Sequence, residues 1–289
     1  MNTIGFIGLG LMGEAMSKNI VNAFSGNVVV YDLNPEAVNR LVAYGAQAAV
    51  SIADVAQQAD VIISMVPRSE HVLDVYQQLL PHLHAGQITI DMSTIDPSVS
   101  MDISAEVAKT GAVMLDAPVV KSVPAAVKAE LGIYVGGDKA AWGKVKPVLA
   151  MMGNNQIHMG ENGRGLVMKI IHNLMVAGIQ NSVNEMLTTA DRYGIDKTDF
   201  HTAISYGGAT NWYLDSKINS LIAEDYRTAF SLQNMAKDVN IMKTLLQESG
   251  LTLPGVDVVK AVYDRGIESG LGGEDFCATF KVVKDHSSK

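Results

Sequence analysis

The sequence predicts a doubly wound, mostly parallel α/β sheet followed by an all-helical C-terminal domain. Apolar runs of strand length alternate with helical patterns through the first half, a glycine turn joins the first run to the first helix, and the second half contains only helical patterns. Alternating strands and helices form βαβ units, which place helices on both faces of a parallel sheet. We place the domain boundary near residue 162, which gives domains 1–162 and 163–289.

The first predicted βαβ unit carries the glycine pattern G-x-G-x-x-G. A strand precedes Gly8, Gly10 and Gly13, an amphipathic helix follows them, and a second strand ends at Asp32. In such a unit the first glycine forms a tight turn, the second lets the backbone approach a pyrophosphate, and the third allows close packing of helix on strand. The N–H groups at the start of the helix bind phosphates. The pattern therefore predicts a dinucleotide-binding, Rossmann-type domain.

The acidic residue at the end of the second strand indicates which dinucleotide binds. Asp32 lies nineteen residues after Gly13, where its carboxylate can accept hydrogen bonds from both ribose hydroxyls and would repel a 2′-phosphate. We therefore expect NAD in preference to NADP, with Leu11 and Met12 of the turn also contacting the cofactor. The alternative is a glycine turn in another kind of α/β protein, which the strand, the helix and the spaced acid all disfavour.

The remaining elements of the first half continue this alternation. We predict helices over 35–44, after Ser51, over 69–80, 97–109 and 140–151, and strands over 47–50, 60–65, 87–91, 112–115, 131–135 and 156–159. Ligands of an open parallel sheet bind beyond the carboxyl ends of its strands. Val66 and Pro67 therefore lie on the expected cofactor path, and Thr94 lies near the nicotinamide ribose. Thr94 has an alternative role as the cap of the helix that begins at Pro97.

The second half is predicted to be helical throughout. Residues 166–193 contain no proline and a single glycine, which predicts a helix of about 28 residues. Its apolar residues lie on more than one side, so we expect burial on several sides and a homodimer or homotetramer formed through this domain. Shorter helices are predicted over 196–205, 212–223, 232–249, 255–265 and 274–284.

The composition argues against several classes of partner. The chain has 289 residues and a formal net charge of −8, which disfavours nucleic acid or an anionic membrane surface. No apolar run approaches the roughly 20 residues of a membrane span, and the first strand passes directly into the glycine turn instead of forming a signal peptide. The single cysteine, Cys277, excludes an internal disulfide and fits a cytoplasmic location, and we expect it to be a buried small hydrophobe.

Five segments together resemble the 3-hydroxyacid dehydrogenase family. They are GFIGLGLMG at 5–13, DMSTIDPS at 91–98, DAPV at 116–119, G-x-G-x-x-x-K at 163–169 and KD at 237–238. They occur in order and with compatible spacing, so the resemblance covers nearly the whole chain. It implies a dinucleotide-binding domain followed by a helical domain. It also implies reversible oxidation of a hydroxyl group β to an acid group, with NAD or NADP as cofactor.

The resemblance implies that Lys169 is the catalytic acid/base. Oxidation of a carbinol requires a base for the hydroxyl proton, reduction requires an acid, and burial can lower the pKa of a lysine so that it serves both directions. Asn173 lies one turn later on the same helix face, where it can bind the lysine and the substrate. Lys237 resembles the family's cofactor-contacting lysine, with Asp238 beside it. The alternatives are a solvated or salt-bridged helix lysine at 169 and a solvated Lys237–Asp238 pair.

One loop departs from the family pattern. Where relatives have Ser-Gly-Gly after DAPV, this chain has Val120-Lys121-Ser122, and we expect that a loop without these glycines cannot present its backbone in the same way. Lys121 can bind an oxyanion as a point charge, with Ser122 as a second contact. The sulfolactaldehyde reductase branch also has a basic residue here, so a sulfonate-bearing aldehyde or diol is an alternative to a carboxylate substrate. If Lys121 points to water, Ser122 alone binds the acid group.

A second departure lies beside the predicted catalytic helix face. His172 stands where most relatives have asparagine, and it either contacts the substrate or repacks the helix. The other histidines lack metal-ligand spacing with it, so no metal site is expected. A cofactor-binding module without catalysis is a further alternative, and the retention of Lys169 and the acidic net charge oppose it.

Overall fold

Two compact units make up the chain in the computed structural model, which describes residues 1–286. The first unit spans Met1–Lys169 and contains the sheet, and the second begins at Ile170 and is built from helices. The division between these compact units falls inside the long helix, between Lys169 and Ile170, a few residues after the predicted boundary near residue 162. The physical reason is that the first turn of this helix belongs to the sheet: Leu166 is fully buried in the apolar core of the first unit.

The first unit contains a nine-stranded sheet. The strands are β1 (Thr3–Ile7), β2 (Asn27–Tyr31), β3 (Gln47–Ala48), β4 (Val61–Ser64), β5 (Ile88–Asp91), β6 (Val113–Asp116), β7 (Val119–Val120), β8 (Gly132–Gly136) and β9 (Asn155–Gly160). Six strands pair parallel in the order β3-β2-β1-β4-β5-β6, which is the order of a Rossmann sheet. β8 pairs antiparallel with β6 and β7, and parallel with β9. The predicted doubly wound, mostly parallel sheet is confirmed.

Helices cover both faces of this sheet. They are α1 (Leu11–Ala23), α2 (Pro35–Val42), α3 (Ile52–Gln58), α4 (Ser69–Leu79), α5 (Pro97–Lys109), α6 (Val123–Val127) and α7 (Lys139–Ala150). Ile4 and Phe6 of β1 belong to one apolar cluster and Ile7 to another, because alternate residues of a strand face opposite sides. Ser51 caps α3 as expected, by accepting a hydrogen bond from the backbone N–H of Asp54. The short β7 and α6 were not predicted.

The long helix and the second unit complete the chain. Their helices are α8 (Arg164–Arg192), α9 (Lys197–Ile204), α10 (Trp212–Ala223), α11 (Leu232–Ser249), α12 (Pro254–Glu268) and α13 (Thr279–His286). The prediction of a helix over 274–284 is wrong in its first turn. The Asp275 carboxylate accepts a hydrogen bond from the backbone N–H of Cys277, which starts a short 3₁₀ turn before α13. None of the helices among residues 1–286 is long and apolar enough to cross a membrane.

The core of the second unit combines apolar packing with a buried polar network around α8. Gln180 donates hydrogen bonds to the carbonyl of Phe276 and, at 2.8 Å, to the hydroxyl of Thr279, and it accepts one from the Tyr263 hydroxyl. Cys277 is fully buried, as expected, and burial raises the pKa of its thiol. These bonds satisfy the buried amide of Gln180, whereas Ile171, Met175 and Met186 of the same helix are exposed, so the expected burial of α8 on several sides is not seen in the single chain.

Candidate active site

The glycine loop after β1 has a backbone that requires two of its glycines. Gly8 has a φ of 92°, and a Cβ atom there would lie 2.3 Å from the carbonyl oxygen of Met65. A Cβ atom on Gly13 would lie 2.0 Å from the carbonyl oxygen of Gly8. Side chains at these two positions would collide with backbone, so the tight turn and the close approach of α1 to the sheet depend on glycine.

Gly10 is different, because packing within the protein does not account for it. A Cβ atom on Gly10 would meet no atom within 4 Å, and its φ of −64° suits any residue. Gly10 is also the N-cap of α1, and no side chain caps the N–H groups of that helix. Open space in front of uncapped N–H groups is what an incoming phosphate needs. The loop therefore fits the pyrophosphate of a dinucleotide.

Asp32 links the glycine loop to the turn that follows β2. Its Oδ2 accepts a hydrogen bond from the backbone N–H of Leu9 at 2.6 Å, and its Oδ1 accepts one from the N–H of Asn34 at 2.7 Å. Each carboxylate oxygen has a second lone pair, so the group keeps acceptor capacity for ribose hydroxyls. The carboxylate is thus fixed in orientation at the carboxyl end of β2, where the ribose of a dinucleotide lies in this fold.

The loops after β4 and β5 are joined by a hydroxyl group. The backbone N–H of Val66 donates to Ser93 Oγ at 2.9 Å, and that hydroxyl donates to Asp91 Oδ1 at 2.7 Å. Pro67 is exposed beside Val66, and Thr94 is half-buried beside Ser93. The capping alternative for Thr94 is wrong. The N-cap of α5 is Asp96, which accepts a hydrogen bond from the N–H of Ser98 at 2.9 Å.

Asp91 is a fully buried carboxyl group beneath these loops. Its Oδ1 accepts hydrogen bonds from the hydroxyls of Ser64 and Ser93, both at 2.7 Å, while its Oδ2 has no hydrogen-bond partner among the described residues. Burial raises the pKa of Asp91 to about 6, and the hydrogen bonds from Ser93 and Ser64 oppose this rise. The negative charge of Asp116, its neighbour on β6, raises the pKa further.

Asp116 caps the helix that carries Lys169. Its Oδ1 accepts a hydrogen bond from the N–H of Gly163 at 2.7 Å, and its Oδ2 accepts one from the N–H of Leu166 at 2.9 Å. A Cβ atom on Gly165 would lie 2.7 Å from Asp116 Oδ2, so the glycine lets the carboxylate reach the helix. Burial raises the pKa of Asp116, and the backbone hydrogen bonds oppose that rise. A strand end thus supplies the bonds that an N-cap side chain normally gives.

Lys169 is buried on α8, one turn after the capped residues. The lysine is 8% exposed. Lysine is rarely buried unless its ammonium is paired or has a function, so the burial excludes a solvated helix lysine and leaves a salt-bridged lysine as the structural alternative.

The second unit brings two of the predicted residues, Asn173 and Lys237, against Asp238. Asn173 Nδ2 donates to Asp238 Oδ2 at 2.6 Å, and Lys237 Nζ lies 2.8 Å from Asp238 Oδ1. Asp238 is 1% exposed, so the alternative of a solvated Lys237–Asp238 pair is wrong. The buried carboxylate orients the amide of Asn173, which lies one turn after Lys169 on the same face of α8. His172 is half-buried beside it, and no cluster of three metal-binding side chains occurs within residues 1–286.

The loop after β7 has a left-handed backbone at two residues that are not glycine. Lys121 has a φ of 79°, and Ala129 further along the loop has a φ of 56°. The backbone therefore adopts the left-handed conformation that favours glycine, although neither residue is glycine. Lys121 is exposed and Ser122 is half-buried. This left-handed conformation costs strain of about 1 kcal/mol at each such residue.

Sequence reasoning did not assign roles to two buried carboxylates of the first unit. Asp91 and Asp116 each end an apolar strand, and each stands inside a quoted motif. A charged residue at the last position of a buried strand was the available signal. Their hydrogen-bond partners, however, come from segments that the sequence alone does not bring together.

Comparison with known families covers nearly the whole chain. Residues 3–160 match the model for the NAD-binding domain of 6-phosphogluconate dehydrogenase. Residues 163–283 match the model described as the NAD-binding domain of NADP-dependent 3-hydroxyisobutyrate dehydrogenase. The two matches meet near the start of α8.

Individual relatives agree with these matches. An NAD-dependent L-serine dehydrogenase of Pseudomonas aeruginosa is 33% identical, over 98% of this chain and 98% of its own length. The mitochondrial 3-hydroxyisobutyrate dehydrogenase of Rattus norvegicus is 30% identical, over 99% of this chain and 88% of the relative. The solved structure of Mycobacterium tuberculosis 3-hydroxyisobutyrate dehydrogenase with L-serine superimposes with a TM-score of 0.91 at 28% identity, covering 98% of this chain and 99% of that one. The chain therefore belongs to the 3-hydroxyacid dehydrogenase family of nicotinamide-dependent oxidoreductases.

Proposed function

We propose that this protein transfers a hydride between NAD and a small 3-hydroxyacid or its semialdehyde, with Lys169 as the general acid/base. The observation that carries the proposal is the burial of Lys169 on a helix whose first turn is fixed by the Asp116 carboxylate. The relatives named for 3-hydroxyisobutyrate and L-serine support this substrate class, because both compounds carry a hydroxyl group β to a carboxylate.

The first domain of the sequence-based division, residues 1–162, would bind the cofactor. Gly8, Gly10 and Gly13, together with Leu11 and Met12, would hold the pyrophosphate at the start of α1. Asp32 would bind the ribose hydroxyls and favour NAD over NADP.

Further residues would contact the rest of the cofactor and the substrate. Val66, Pro67 and Thr94 follow strand ends along the nicotinamide path, and Lys237 would contact the cofactor from the helical domain, 163–289. Bound NAD supplies the acceptor or donor of the hydride.

Lys169 would handle the proton of the substrate hydroxyl. During oxidation its neutral amine removes that proton, and during reduction its ammonium polarises the carbonyl and returns the proton to the oxygen. Asn173, whose amide is oriented by Asp238, would hold the reacting oxygen. Burial excludes water from the lysine and strengthens these interactions.

Replacement of Lys169 tests this assignment. Lys169→Ala should lower kcat by roughly 10²–10⁴-fold, because the proton transfer loses its partner. Lys169→Arg is the matched control: it keeps a positive charge but cannot lose a proton, so we expect a similar loss. Equilibrium binding of NAD to both variants verifies that the first unit is intact. Full turnover by Lys169→Ala would contradict the mechanism, and a wild-type protein that binds NAD without turning over any hydroxyacid would indicate a non-catalytic module.

The acid group of the substrate is the open choice, and Lys121 favours a second candidate. Lys121 is exposed and its backbone is strained, and its ammonium suits either a carboxylate or a sulfonate. A sulfonate-bearing aldehyde or diol is therefore the second candidate. Ser122 and His172 would contact the same substrate.

A substrate panel separates the two candidates. It compares 3-hydroxyisobutyrate, L-serine, tartronate semialdehyde and sulfolactaldehyde, with the wild type and with Lys121→Ala. If Lys121 binds the acid group, the variant should show a KM raised about tenfold, most strongly for the best substrate. An unchanged KM for every substrate would mean that Lys121 points to water and that Ser122 alone binds the acid group.

Assembly through the helical domain is also proposed. Three apolar side chains of α8 are exposed at helical spacing: Ile171, Met175 and Met186. Covering them with a second copy would form a homodimer or homotetramer, since exposed apolar stripes of this kind usually mark contacts. Light scattering of the wild type and of Met175→Glu tests this, with a smaller species expected for the variant. The buried Cys277, the single cysteine of the chain, agrees with a cytoplasmic location.

A further inference from the structure

A carboxylate in the first turn of α1 holds two cations beside the glycine loop. Glu14 Oε2 accepts hydrogen bonds from Arg40 Nε at 3.0 Å and from Arg40 Nη2 at 2.8 Å. Glu14 Oε1 accepts a hydrogen bond from Lys18 Nζ at 2.7 Å, and the same ammonium lies 4.5 Å from the ring centre of Tyr44. The hydrogen bond from Arg40 is the largest cause that lowers the pKa of Glu14. Glu14 is therefore a charged acceptor whose oxygens are both engaged by cations.

Arg40 belongs to the helix that follows the residue expected to bind the adenosine ribose. It lies in the last turn of α2, which begins three residues after Asp32. The hydrogen bonds with Glu14 are the main reason for the raised pKa of Arg40, and the nearby charges of Glu36 and Asp32 raise it further. In dinucleotide-binding domains an acid at the end of the second strand favours NAD, whereas a nearby arginine accommodates the 2′-phosphate of NADP. This chain contains both features.

We propose that Glu14 is a second determinant of cofactor specificity, because it keeps Arg40 from pairing with a 2′-phosphate. The inference rests on the proposed function, since it supposes that Asp32 faces the adenosine ribose. A guanidinium offers the same pair of donors to a carboxylate as to a phosphate. Arg40 already donates Nε and Nη2 to Glu14 Oε2, so the edge that would bind a 2′-phosphate bidentately is occupied and the arginine charge is neutralised. The 2′-phosphate then meets repulsion from Asp32 without compensation from Arg40.

The same ion pairs explain how the negatively charged Glu14 can lie near the expected pyrophosphate site. Glu14 lies one turn into the helix whose N–H groups would bind the phosphates, where an uncompensated negative charge would weaken that binding. Its pairing with Lys18 and Arg40 compensates the charge. Lys18 and Arg40 therefore neutralise Glu14. Because Arg40 is engaged in this way, the ribose site favours the 2′-hydroxyl of NAD over the 2′-phosphate of NADP.

Equilibrium binding tests the proposal without relying on turnover. The dissociation constants of NAD and NADP are measured by calorimetry on the full-length protein, together with those of 5′-AMP and adenosine 2′,5′-bisphosphate as fragments. Glu14→Gln keeps the size of the side chain and removes its charge, and Glu14→Ala also removes the acceptor. In at least one of these variants we expect the NADP-to-NAD ratio of dissociation constants to fall about tenfold. The fragment pair should show the same shift.

Two further variants separate specificity from a general effect of charge. Glu106→Gln removes an equivalent charge, because Glu106 forms a 2.6 Å pair with Lys109 on α5, and its ratio should equal that of the wild type. Adding Arg40→Ala to Glu14→Gln should return the ratio to the wild-type value, since Arg40 supplies the gain. An ion pair that merely joins α1 to α2 would change the melting temperature and leave the ratio unchanged.

The outcomes separate this proposal from the proposed function. An unchanged ratio in both Glu14 variants overturns the role of Glu14, while NAD binding by the same proteins continues to support the function. A wild type that prefers NADP overturns both the role of Glu14 and the expected NAD preference. A wild type that binds neither dinucleotide overturns the proposed function itself, and the inference with it.

Discussion

The helices α1 and α8 begin with similar backbone turns, but the N–H groups at the start of α1 are left uncapped and those at the start of α8 are capped by the protein. Each start contains a G-x-G sequence, and the first glycine of each is in the left-handed region, with a φ of 92° at Gly8 and 88° at Gly163. At α1 no side chain caps the N–H groups. At α8 the carboxylate of Asp116 accepts the N–H groups of Gly163 and Leu166.

The difference shows that the N–H groups at a helix start can bind either a ligand or a carboxylate of the protein itself. At both helix starts the first N–H groups lack a partner within the helix, and together with the partial positive charge there they attract an anion. The start of α8 receives that anion from the protein, and the resulting order extends to Lys169 one turn later. The start of α1 leaves the place open for a ligand. The local sequence motif does not distinguish the two, because the distinguishing carboxylate comes from another strand.

We expect the largest effects on stability and on NAD affinity from alanine at the second glycine of each G-x-G sequence, Gly10 and Gly165. These two variants test the comparison directly. A Cβ atom on Gly165 would lie 2.6 Å from the carbonyl oxygen of Tyr134, so Gly165→Ala should lower the free energy of unfolding by about 3 kcal/mol. Gly10→Ala should fold like the wild type, because its Cβ atom meets no protein atom, but it should weaken NAD binding at least about tenfold. Denaturation measures the free energy of unfolding of both variants, and calorimetry measures their affinity for NAD.

The comparison breaks if the two variants behave alike. A Gly10→Ala protein with the NAD affinity of the wild type would mean that the pyrophosphate does not approach that position. Gly143→Ala is the matched control for a glycine in open space away from the loop, since its Cβ atom also meets nothing within 4 Å. That variant should change neither stability, apart from a small gain in helix propensity, nor NAD affinity.

Removing the negative charge of Asp116, which caps α8, should have the next largest effect on stability and on kcat. Asp116→Asn keeps one acceptor but turns an amide donor toward a backbone N–H, so we expect the free energy of unfolding to fall by about 2 kcal/mol. Because Lys169 lies one turn after the capped residues, kcat should fall while the NAD dissociation constant stays near the wild-type value. Asp96→Asn is a suitable control, since Asp96 caps α5 through a conventional N-cap that asparagine also provides. Equal losses in the two variants would argue against a special role for Asp116.

The buried Asp91 should produce a smaller, pH-dependent effect. Its folded-state pKa of about 6 is above the ordinary value of an aspartate, so the folded protein favours the protonated carboxyl. The stabilisation is present at low pH and is lost as the pH rises through the ordinary value to about 6, by roughly 2 kcal/mol. Asp91→Asn removes this titration, so its stability relative to the wild type should improve between about pH 4 and pH 6. Urea denaturation at several pH values measures the difference, and a constant difference would contradict the raised pKa.

The strained loop after β7 should give the smallest effect. Lys121 holds a φ of 79° without being glycine, so Lys121→Gly should raise the free energy of unfolding by about 1 kcal/mol. Lys128→Gly is the matched control, because Lys128 has a φ of −87° and gains nothing from glycine. The affinity of Lys121→Gly for the acid substrate should match that of Lys121→Ala, because both variants lose the ammonium. An unchanged stability would mean that the loop relaxes.

Most of the first unit could be predicted because its elements depend on local patterns. The apolar runs identified β1, β2, β4 and β5, and the alternation with helices predicted their parallel pairing. The two-residue strand β7 and the single turn of α6 were missed, since elements of this length carry no periodicity. The helix predicted from residue 274 begins at Thr279, because a single cap by Asp275 redirects the chain in a way that hydrophobic spacing does not report.

The candidate site divides in the same way. Gly8, Gly10, Gly13, Asp32 and Lys169 stand within contiguous motifs, so the sequence was sufficient to propose them. The pairing of Glu14 with Arg40 crosses 26 residues, and the capping of α8 by Asp116 crosses as many as 50. No local pattern specifies such pairs.

The sequence by itself determined the alternation of strands and helices, the glycine turn, the acid at the end of β2 and the family. Tertiary structure decided which charges meet. It placed Asp116 on the start of α8 and Asp238 against Asn173, and it left the start of α1 open. The physical reason is that hydrophobic period and turn geometry act within a few residues, whereas burial and charge pairing depend on strand order and helix packing. The order of the strands therefore determines which helix start is filled by the protein and which is available to a cofactor.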